Sequence, residues 1–248
     1  MRVAALYDIH GNLPALEAVL AEPDVAAADM VVVGGDALAG PMPAETLQAL
    51  EALGGRVVWV RGNTERETLE RRAADPAGGD LWDRRSTWVA GQLTAAEVER
   101  TAAWPLTARV TVDGLGPVCF CHASPRNDWE IFTAISPPEH VEPMLAVVEE
   151  ATVVCGHTHV QFDRAIGARR VVNAGSVGMP YEGDPAARWC LLGPDVELRR
   201  TAFDTEAAAG RIRATGMPEA GEFAAEMRAP PTAAEATGVF EERARGRE

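Results

Sequence analysis

The chain has 248 residues, 47% of them apolar and 24% charged, a composition that suits a globular protein with one sizeable core. Its formal net charge is −14, from 37 acidic and 23 basic residues, and a field of that sign argues against a basic patch for nucleic-acid duplexes or anionic membranes. All 23 basic residues are Arg; without Lys there is no phosphate loop ending in Gly-Lys-Ser/Thr, no Schiff-base chemistry and no lysine general base.

Residues 2–7 predict a strand buried on both faces that stops at Asp8. Asp8 and His10 interrupt the apolar stretch a signal peptide needs, and no run approaches the roughly 20 apolar residues of a membrane span, so a cytoplasmic protein is expected. Leu13, Leu16, Val19 and Leu20 share helical spacing, with Asn12 as N-cap. Residues 30–33 predict a second buried strand ending in Gly34-Gly35-Asp36, and 43–53 a helix closed by Gly54-Gly55. Residues 57–60 predict a third strand ending at Arg61-Gly62-Asn63. Three rounds of strand, loop and helix predict right-handed βαβ units.

Residues 64–104 read as charged helix with a Thr94/Glu97 capping box. Strands are then predicted at 106–112, 117–121, 152–155, 160–165, 169–173, 188–193 and 196–201, with one helix near 138–149 and hairpin turns at Asp113-Gly114 and Gly193-Pro194-Asp195. Cys119 and Cys121 share a strand face and, with Cys155 and Cys190, are expected as buried reduced thiols. Residues 204–248 are expected to form one or two peripheral helices, divided by Pro230-Pro231, with a frayed charged end and no identifiable chemistry.

Five motifs stand where predicted strands end: Asp8-Ile9-His10, Gly35-Asp36, Gly62-Asn63, His122 and Gly156-His157-Thr158-His159. Ligand sites of α/β sheets collect at the carboxyl ends of strands. Asp8/His10 and His157/His159 are i, i+2 pairs, which an extended backbone projects to one side, so each pair is expected to grip one object. Two Asp, four His and one Asn form an oxygen–nitrogen donor set without thiolate, suited to Mn, Fe, Zn or Ni. Seven donors exceed one tetrahedral ion but suit two ions about 3.5–4 Å apart, the arrangement that clamps both oxygens of an in-line phosphoryl displacement. His140, the fifth His, sits at a Pro-flanked helix start and is expected at the surface.

In this order the motifs resemble the calcineurin-like metallophosphoesterase family, and the loops at 35–41 and 173–178 are similar to those of its small bacterial phosphodiesterase branch. The resemblance runs from Asp8 to about Gly178. It implies a four-layer α/β/β/α sandwich with two mixed β-sheets, assigned to residues 1–203, and two divalent metal ions. It also implies that Asp8, His10 and His159 hold one metal, Asn63, His122 and His157 the other, and Asp36 bridges them, with a metal-bridging hydroxide as nucleophile. The expected partner is a small phosphate-ester substrate, met by Asn63 and Arg126, with Arg61 the weaker candidate.

Many family members carry a His after Gly-Asn, where this chain has Thr64. General acid help is typically a factor of about 10²–10⁴, so phosphodiesters with acidic leaving groups are expected to outrun alkyl phosphomonoesters. Two alternatives are a catalytically weak scaffold on the same fold and a nucleotide or protein phosphatase. Ala174-Gly175-Ser176-Val177-Gly178 nearly matches a nucleophile elbow, but no His follows it, so a tight turn beneath the metal site is expected. Specificity is expected in loops 75–92 and 125–137. Trp82, Trp88, Trp129 and Phe132 are expected chiefly in core or lid packing, with stacking on a base the alternative.

Overall fold

Residue alternation along the first strand decides the layering. The computed structural model describes residues 1–73 and 79–246. Within them run strands β1 (Val3–Leu6), β2 (Met30–Val33), β3 (Val57–Trp59), β4 (Thr107–Val112), β5 (Gly116–Cys121), β6 (Thr152–Cys155), β7 (Phe162–Ile166), β8 (Arg169–Asn173), β9 (Ala187–Leu192) and β10 (Val196–Thr201). They form two mixed five-stranded sheets, ordered β10-β9-β1-β2-β3 and β4-β5-β6-β8-β7. In the first, β1, β2 and β3 are parallel, with Val3 opposite Met30 and Val31 opposite Val57, while β9 runs antiparallel to β1 and β10. In the second, β5, β6 and β8 are parallel and the edges β4 and β7 antiparallel.

Along β1, Ala4 and Leu6 face a core shared with helices, whereas Val3, Ala5 and Tyr7 face the second sheet. The period of two therefore has apolar neighbours on both sides, which is why the run reads as continuously apolar. Val118, Phe120, Val154 and Val172 of the second sheet meet this inter-sheet core. Its outer face carries Cys119, Cys121, Val153 and Cys155 against a helix at Pro138–Leu145. Helix, sheet, sheet and helix make four layers around three cores. All four cysteines are buried and free.

The helices are α1 (Leu13–Leu20), α2 (Pro23–Ala26), α3 (Pro43–Glu51), α4 (Asn63–Arg71), α5 (Leu81–Gln92), α6 (Ala95–Ala102), α7 (Pro138–Leu145), α8 (Thr205–Arg213), α9 (Ala220–Arg228) and α10 (Ala233–Arg245). Asn12 caps α1 and the Thr94/Glu97 box opens α6. Helix α7 ends four residues earlier than its sequence suggests. Beyond Leu145 the apolar Val147 is 60% exposed and Val148 alone packs against the outer core, too little burial to sustain further turns.

The C-terminal stretch departs further from expectation. It holds three helices, and α8 and α9 are not peripheral: Ala208, Ala209, Ile212, Phe223, Ala224 and Met227 enter the same core as Leu6 and Leu16. Half of these residues are alanine, whose small apolar surface gives a faint periodic signal although it allows close helix packing. Residues 247–248, part of the end expected to fray, lie outside the described residues. No helix among the described residues is long and apolar enough to cross a membrane.

Candidate metal centre

The carboxyl ends of β1, β2, β3, β5 and β6 open onto one rim, where loops from two abutting sheets converge. Asp8 and His10 follow β1, Asp36 follows β2, Asn63 opens α4 after β3, His122 follows β5, and His157 and His159 follow β6. Five of these take a left-handed backbone: Asp8 (φ 51°), His10 (47°), Asp36 (51°), His157 (67°) and His159 (58°). Each such conformation costs on the order of 1–3 kcal/mol in a non-glycine residue and persists only where its surroundings over-determine it.

Those surroundings are specific. The Asp8 N–H donates to the Gly35 carbonyl at 3.1 Å and the His10 N–H to that of Asp36 at 2.9 Å. The Ser176 hydroxyl donates to the Asp8 carbonyl at 2.7 Å and accepts the Met179 N–H at 2.8 Å, so the 174–178 turn does pack beneath the site. Gly40 and Gly178 let backbones touch: a Cβ on either would stand 1.7 Å from the His10 carbonyl oxygen or 1.8 Å from that of Ile9.

The i, i+2 expectation needs correction on two points. The pairs reach the site from left-handed turns, not from extended chain. Only one pair also stays together: Asp8 and His10 join His159, whereas His157 joins Asp36 and His122, the division that the family resemblance implies. Twisting the backbone at both His157 and His159 sends the two imidazoles to neighbouring positions.

Each of these two groups brings its three ligand atoms within 4.8 Å of one another. His10 Nδ1 faces the Ala39 carbonyl at 3.2 Å, His159 Nδ1 that of Met179 at 2.8 Å, and His122 Nδ1 that of Gly34 at 3.0 Å. A carbonyl only accepts, so each Nδ1 carries a proton and Nε2 is the nitrogen turned to the cavity. His10 Nε2 nevertheless stands 3.2 Å from His159 Nε2, and Asp8 Oδ1 is 3.3 Å from the latter. Asp36 Oδ2 lies 3.4 Å from His122 Nε2 and 3.9 Å from His10 Nε2, touching both groups.

Both carboxylates are aimed by their second oxygen. Asp8 Oδ2 accepts the His157 N–H at 2.8 Å, and Asp36 Oδ1 accepts the Thr64 N–H at 2.9 Å. Asp8 Oδ1, Asn63 Oδ1 and His157 Nε2 are buried without hydrogen-bond partners; the Asn63 amide donates instead to Glu67 at 3.1 Å. Converging ligand atoms and orphaned acceptors in a buried cavity favour positive charge. The two oxygen–nitrogen donor groups fit two divalent cations.

Protons mark the same positions. Burial opposes charge on His122, but Asp36 and Asp8 outweigh it and push its pKa up to about 10. Burial likewise opposes charge on His159, and Asp8 raises it on balance. Burial, aided by His159, pulls His10 down to about 4, and burial with His122 pulls His157 down to about 3. In each group a neighbouring carboxylate thus favours positive charge on one ring, His159 or His122, while burial opposes it on the other. Burial and the Asp36 charge push Glu65 up to about 7. Its carboxylate accepts N–H groups from Asp36 (3.0 Å), Ala37 (2.8 Å) and Gly62 (2.9 Å), a tie with no local sequence signal because Asp36 and Ala37 are distant from Glu65 in the chain.

The centre opens into a cleft of about 700 Å³ lined by His10, Asp36, Asn63, His157 and His159. Three aromatic rings stand against its imidazoles. Trp82 meets His10 edge-on at 6.3 Å, Tyr181 stacks on His159 at 4.6 Å, and Phe240 lies 6.4 Å from His157. Phe240 and Arg243 belong to α10, so the C-terminal stretch does contribute to the site. No local signal could have placed them there. Trp82 lines the cleft; Phe132 and Trp88 pack in the cores, and Trp129 lines a separate cavity of about 560 Å³. The 75–78 part of the loop expected to set specificity lies outside the described residues.

Arg126 is not among the cleft's lining residues. Its guanidinium is paired with Glu130 through Nε and Nη2, a local i, i+4 ion pair. Arg61 donates to the Ala102 carbonyl at 3.0 Å. Arg66, Arg71 and Arg243 line the cleft instead. His140 is half-buried in α7, away from both ligand groups.

A two-sheet sandwich with two histidine–carboxylate groups at its strand ends defines a metallophosphoesterase. Residues 1–193 match the model of the calcineurin-like phosphoesterase superfamily domain, and the chain belongs to that superfamily. It is 24% identical over 243 residues to an uncharacterized protein of Methanocaldococcus jannaschii, covering 88% of this chain and 94% of that one. Among solved structures, a metallophosphoesterase from Sphaerobacter thermophilus superposes with TM-score 0.72 and 25% identity, covering 92% of this chain and 98% of that one. A hypothetical protein from Pyrococcus horikoshii OT3 gives TM-score 0.79 at 22% identity, covering 94% and 99%.

Proposed function

We propose that this chain is a metal-dependent phosphodiesterase acting on small phosphate esters with acidic leaving groups. Asp8, His10 and His159 would hold one divalent cation, Asn63, His122 and His157 a second, with Asp36 shared. Mn, Fe, Zn and Ni all suit these donors. The observation that carries the reading is Asp36 Oδ2 standing between His122 and His10, one from each group, at 3.4 and 3.9 Å. Bound there, two cations would acidify water and neutralise phosphoryl charge. The protein's own part is to aim those donors through Asp8 Oδ2, Asp36 Oδ1 and three Nδ1–carbonyl contacts.

The leaving-group preference follows from Thr64. It is buried, its hydroxyl has no partner, and no imidazole beyond those of the two groups lines the cleft. The departing oxygen therefore leaves without a histidine proton, which favours aryl or nucleotide esters over alkyl ones. A cleft of about 700 Å³ falls within the range that holds ligands of nucleotide size. Four free buried thiols suit the reducing cytoplasm.

The test is turnover after loading with Mn²⁺, Fe²⁺, Zn²⁺ or Ni²⁺ and after chelation. Bis(4-nitrophenyl) phosphate is expected to be cleaved only with metal, and at least about 10²-fold faster than an alkyl phosphomonoester. Comparable rates on the two esters would overturn the leaving-group reading. Metal-independent turnover would overturn the metal reading.

A further inference from the structure

We infer that Arg243 forms a second anion subsite beside the metal centre, so that the substrate is a nucleotide-sized phosphoester carrying a further phosphate. The inference deepens the phosphodiesterase reading and rests on it for the scissile group, though not for the subsite itself.

Three arginines line the cleft, and two are neutralised. Arg66 grips Asp128 through Nε and Nη2 at 3.1 and 3.2 Å and also meets Glu70 at 3.1 Å. Arg71 is ion-paired with Asp83. Arg243 forms no ion pair with any carboxylate among the described residues, in a chain with 37 acidic residues to choose from. Of the acids that line the cleft with it, Glu67 is engaged by Asn63 and Trp82, Glu70 by Arg66 and Asp83 by Arg71, while Asp80 accepts the Asp83 N–H as the cap of α5. An unneutralised guanidinium in a phosphoesterase cleft is a planar fork of donors for a phosphate.

Its placement is built rather than incidental. The Arg243 Cζ lies 5.8 Å from the Phe240 ring centroid, a cation–π contact that restrains the side chain. Phe240 is 9% exposed and stands 6.4 Å from both His157 and Tyr181. Helix α10 is pinned beside the cleft. Glu241 accepts from the Thr133 hydroxyl at 2.6 Å and from the Ser136 hydroxyl, and the Gly183 N–H donates to the Pro231 carbonyl at 2.8 Å. One cleft thus offers two metal-ligand groups, the exposed guanidinium of Arg243 and the rings of Trp82, Tyr181 and Phe240. Those surfaces match a nucleoside carrying two phosphates.

The test uses the Mn²⁺-loaded full chain and two 4-nitrophenyl esters of thymidine 5′-phosphate, one bearing a 3′-phosphate. Wild type is expected to prefer the 3′-phosphorylated ester. Arg243→Ala should cut that preference about tenfold, mainly through KM, the loss of one charge-assisted contact in a partly exposed place. Arg243→Lys should restore part of it. Calorimetry gives a readout without turnover: thymidine 3′,5′-bisphosphate should bind more tightly than thymidine 5′-phosphate, and Arg243→Ala should close that gap. An unchanged preference and an unchanged gap in Arg243→Ala overturn the subsite. A wild type that cleaves neither ester yet shows the gap overturns the hydrolase reading and supports the subsite.

Discussion

The Glu65 carboxylate accepts the backbone N–H of Asp36 at 3.0 Å, tying the loop after β2 to the first turn of α4. The same carboxylate takes the N–H groups of Ala37 and Gly62, while Asp36 Oδ1 returns the tie by accepting the Thr64 N–H. The Asp36 loop, whose carboxylate stands beside one imidazole of each group, is therefore held by a residue that belongs to neither group. Glu65→Ala leaves three buried donors unsatisfied, each worth about 1–3 kcal/mol. The expected loss is about 3 kcal/mol or more, a melting temperature lower by roughly 6–12 °C for a chain of this size. Affinity for Mn²⁺ should fall by about 10–100-fold, as when other residues that orient metal ligands are removed. Thermal unfolding and a Mn²⁺ isotherm check both, and unchanged affinity would deny Glu65 a positioning role.

Asp36→Asn removes the shared negative charge while keeping the size of the side chain. Cation stoichiometry is expected to drop from two to one, and turnover by more than about 10²-fold, since the charge stabilisation supplied by a second cation is worth several kcal/mol. Elemental analysis of the purified variant beside wild type measures the first, and the aryl diester assay the second.

Metal uptake should release protons. In the metal-free protein His122 has its pKa pushed up to about 10, so at pH 8 a proton must leave before a cation binds. Binding enthalpies measured in two buffers of different ionisation heat should differ accordingly, and affinity should climb with pH towards about 10. The sign for stability is opposite. A raised histidine stabilises the metal-free fold fully below its unfolded pKa near 6.5, and this contribution disappears as pH rises through about 10. Denaturant midpoints of metal-free protein between pH 6 and 10 test it, provided Mn²⁺-loaded samples are run beside them.

Glycine substitutions separate close approach from mere flexibility. Gly40→Ala and Gly178→Ala place a methyl group 1.7 Å from the His10 carbonyl oxygen and 1.8 Å from that of Ile9. Each should cost about 1–3 kcal/mol and weaken metal binding, because the His10 or Asp8 loop must move. Gly210→Ala in α8 meets nothing within 4 Å and should instead gain up to about 1 kcal/mol. Equal effects in all three variants would remove the steric explanation.

Much of this protein was legible in its sequence, because strand alternation and loop chemistry are local. The apolar runs at 2–7 and 30–33, the Asn12 cap and the Thr94/Glu97 box each announce themselves within a few residues. The site residues stand out because buried strands rarely end in Asp, Asn or His without need of them. Other relations join residues distant in the chain, and no local rule reaches them. The division of His157 and His159 between two groups depends on left-handed turns held by Asp8 and by the 174–178 loop. Arg126 was a plausible phosphate ligand until Glu130 took it. Phe240 and Arg243 of α10 line the cleft, while α8 and α9 before them pack into the core beside Leu6 and Leu16. Residue type and spacing determined which chemistry the chain can perform; the packing of three cores decided which side chains meet to perform it, because contact between distant segments is a property of the fold's free energy as a whole.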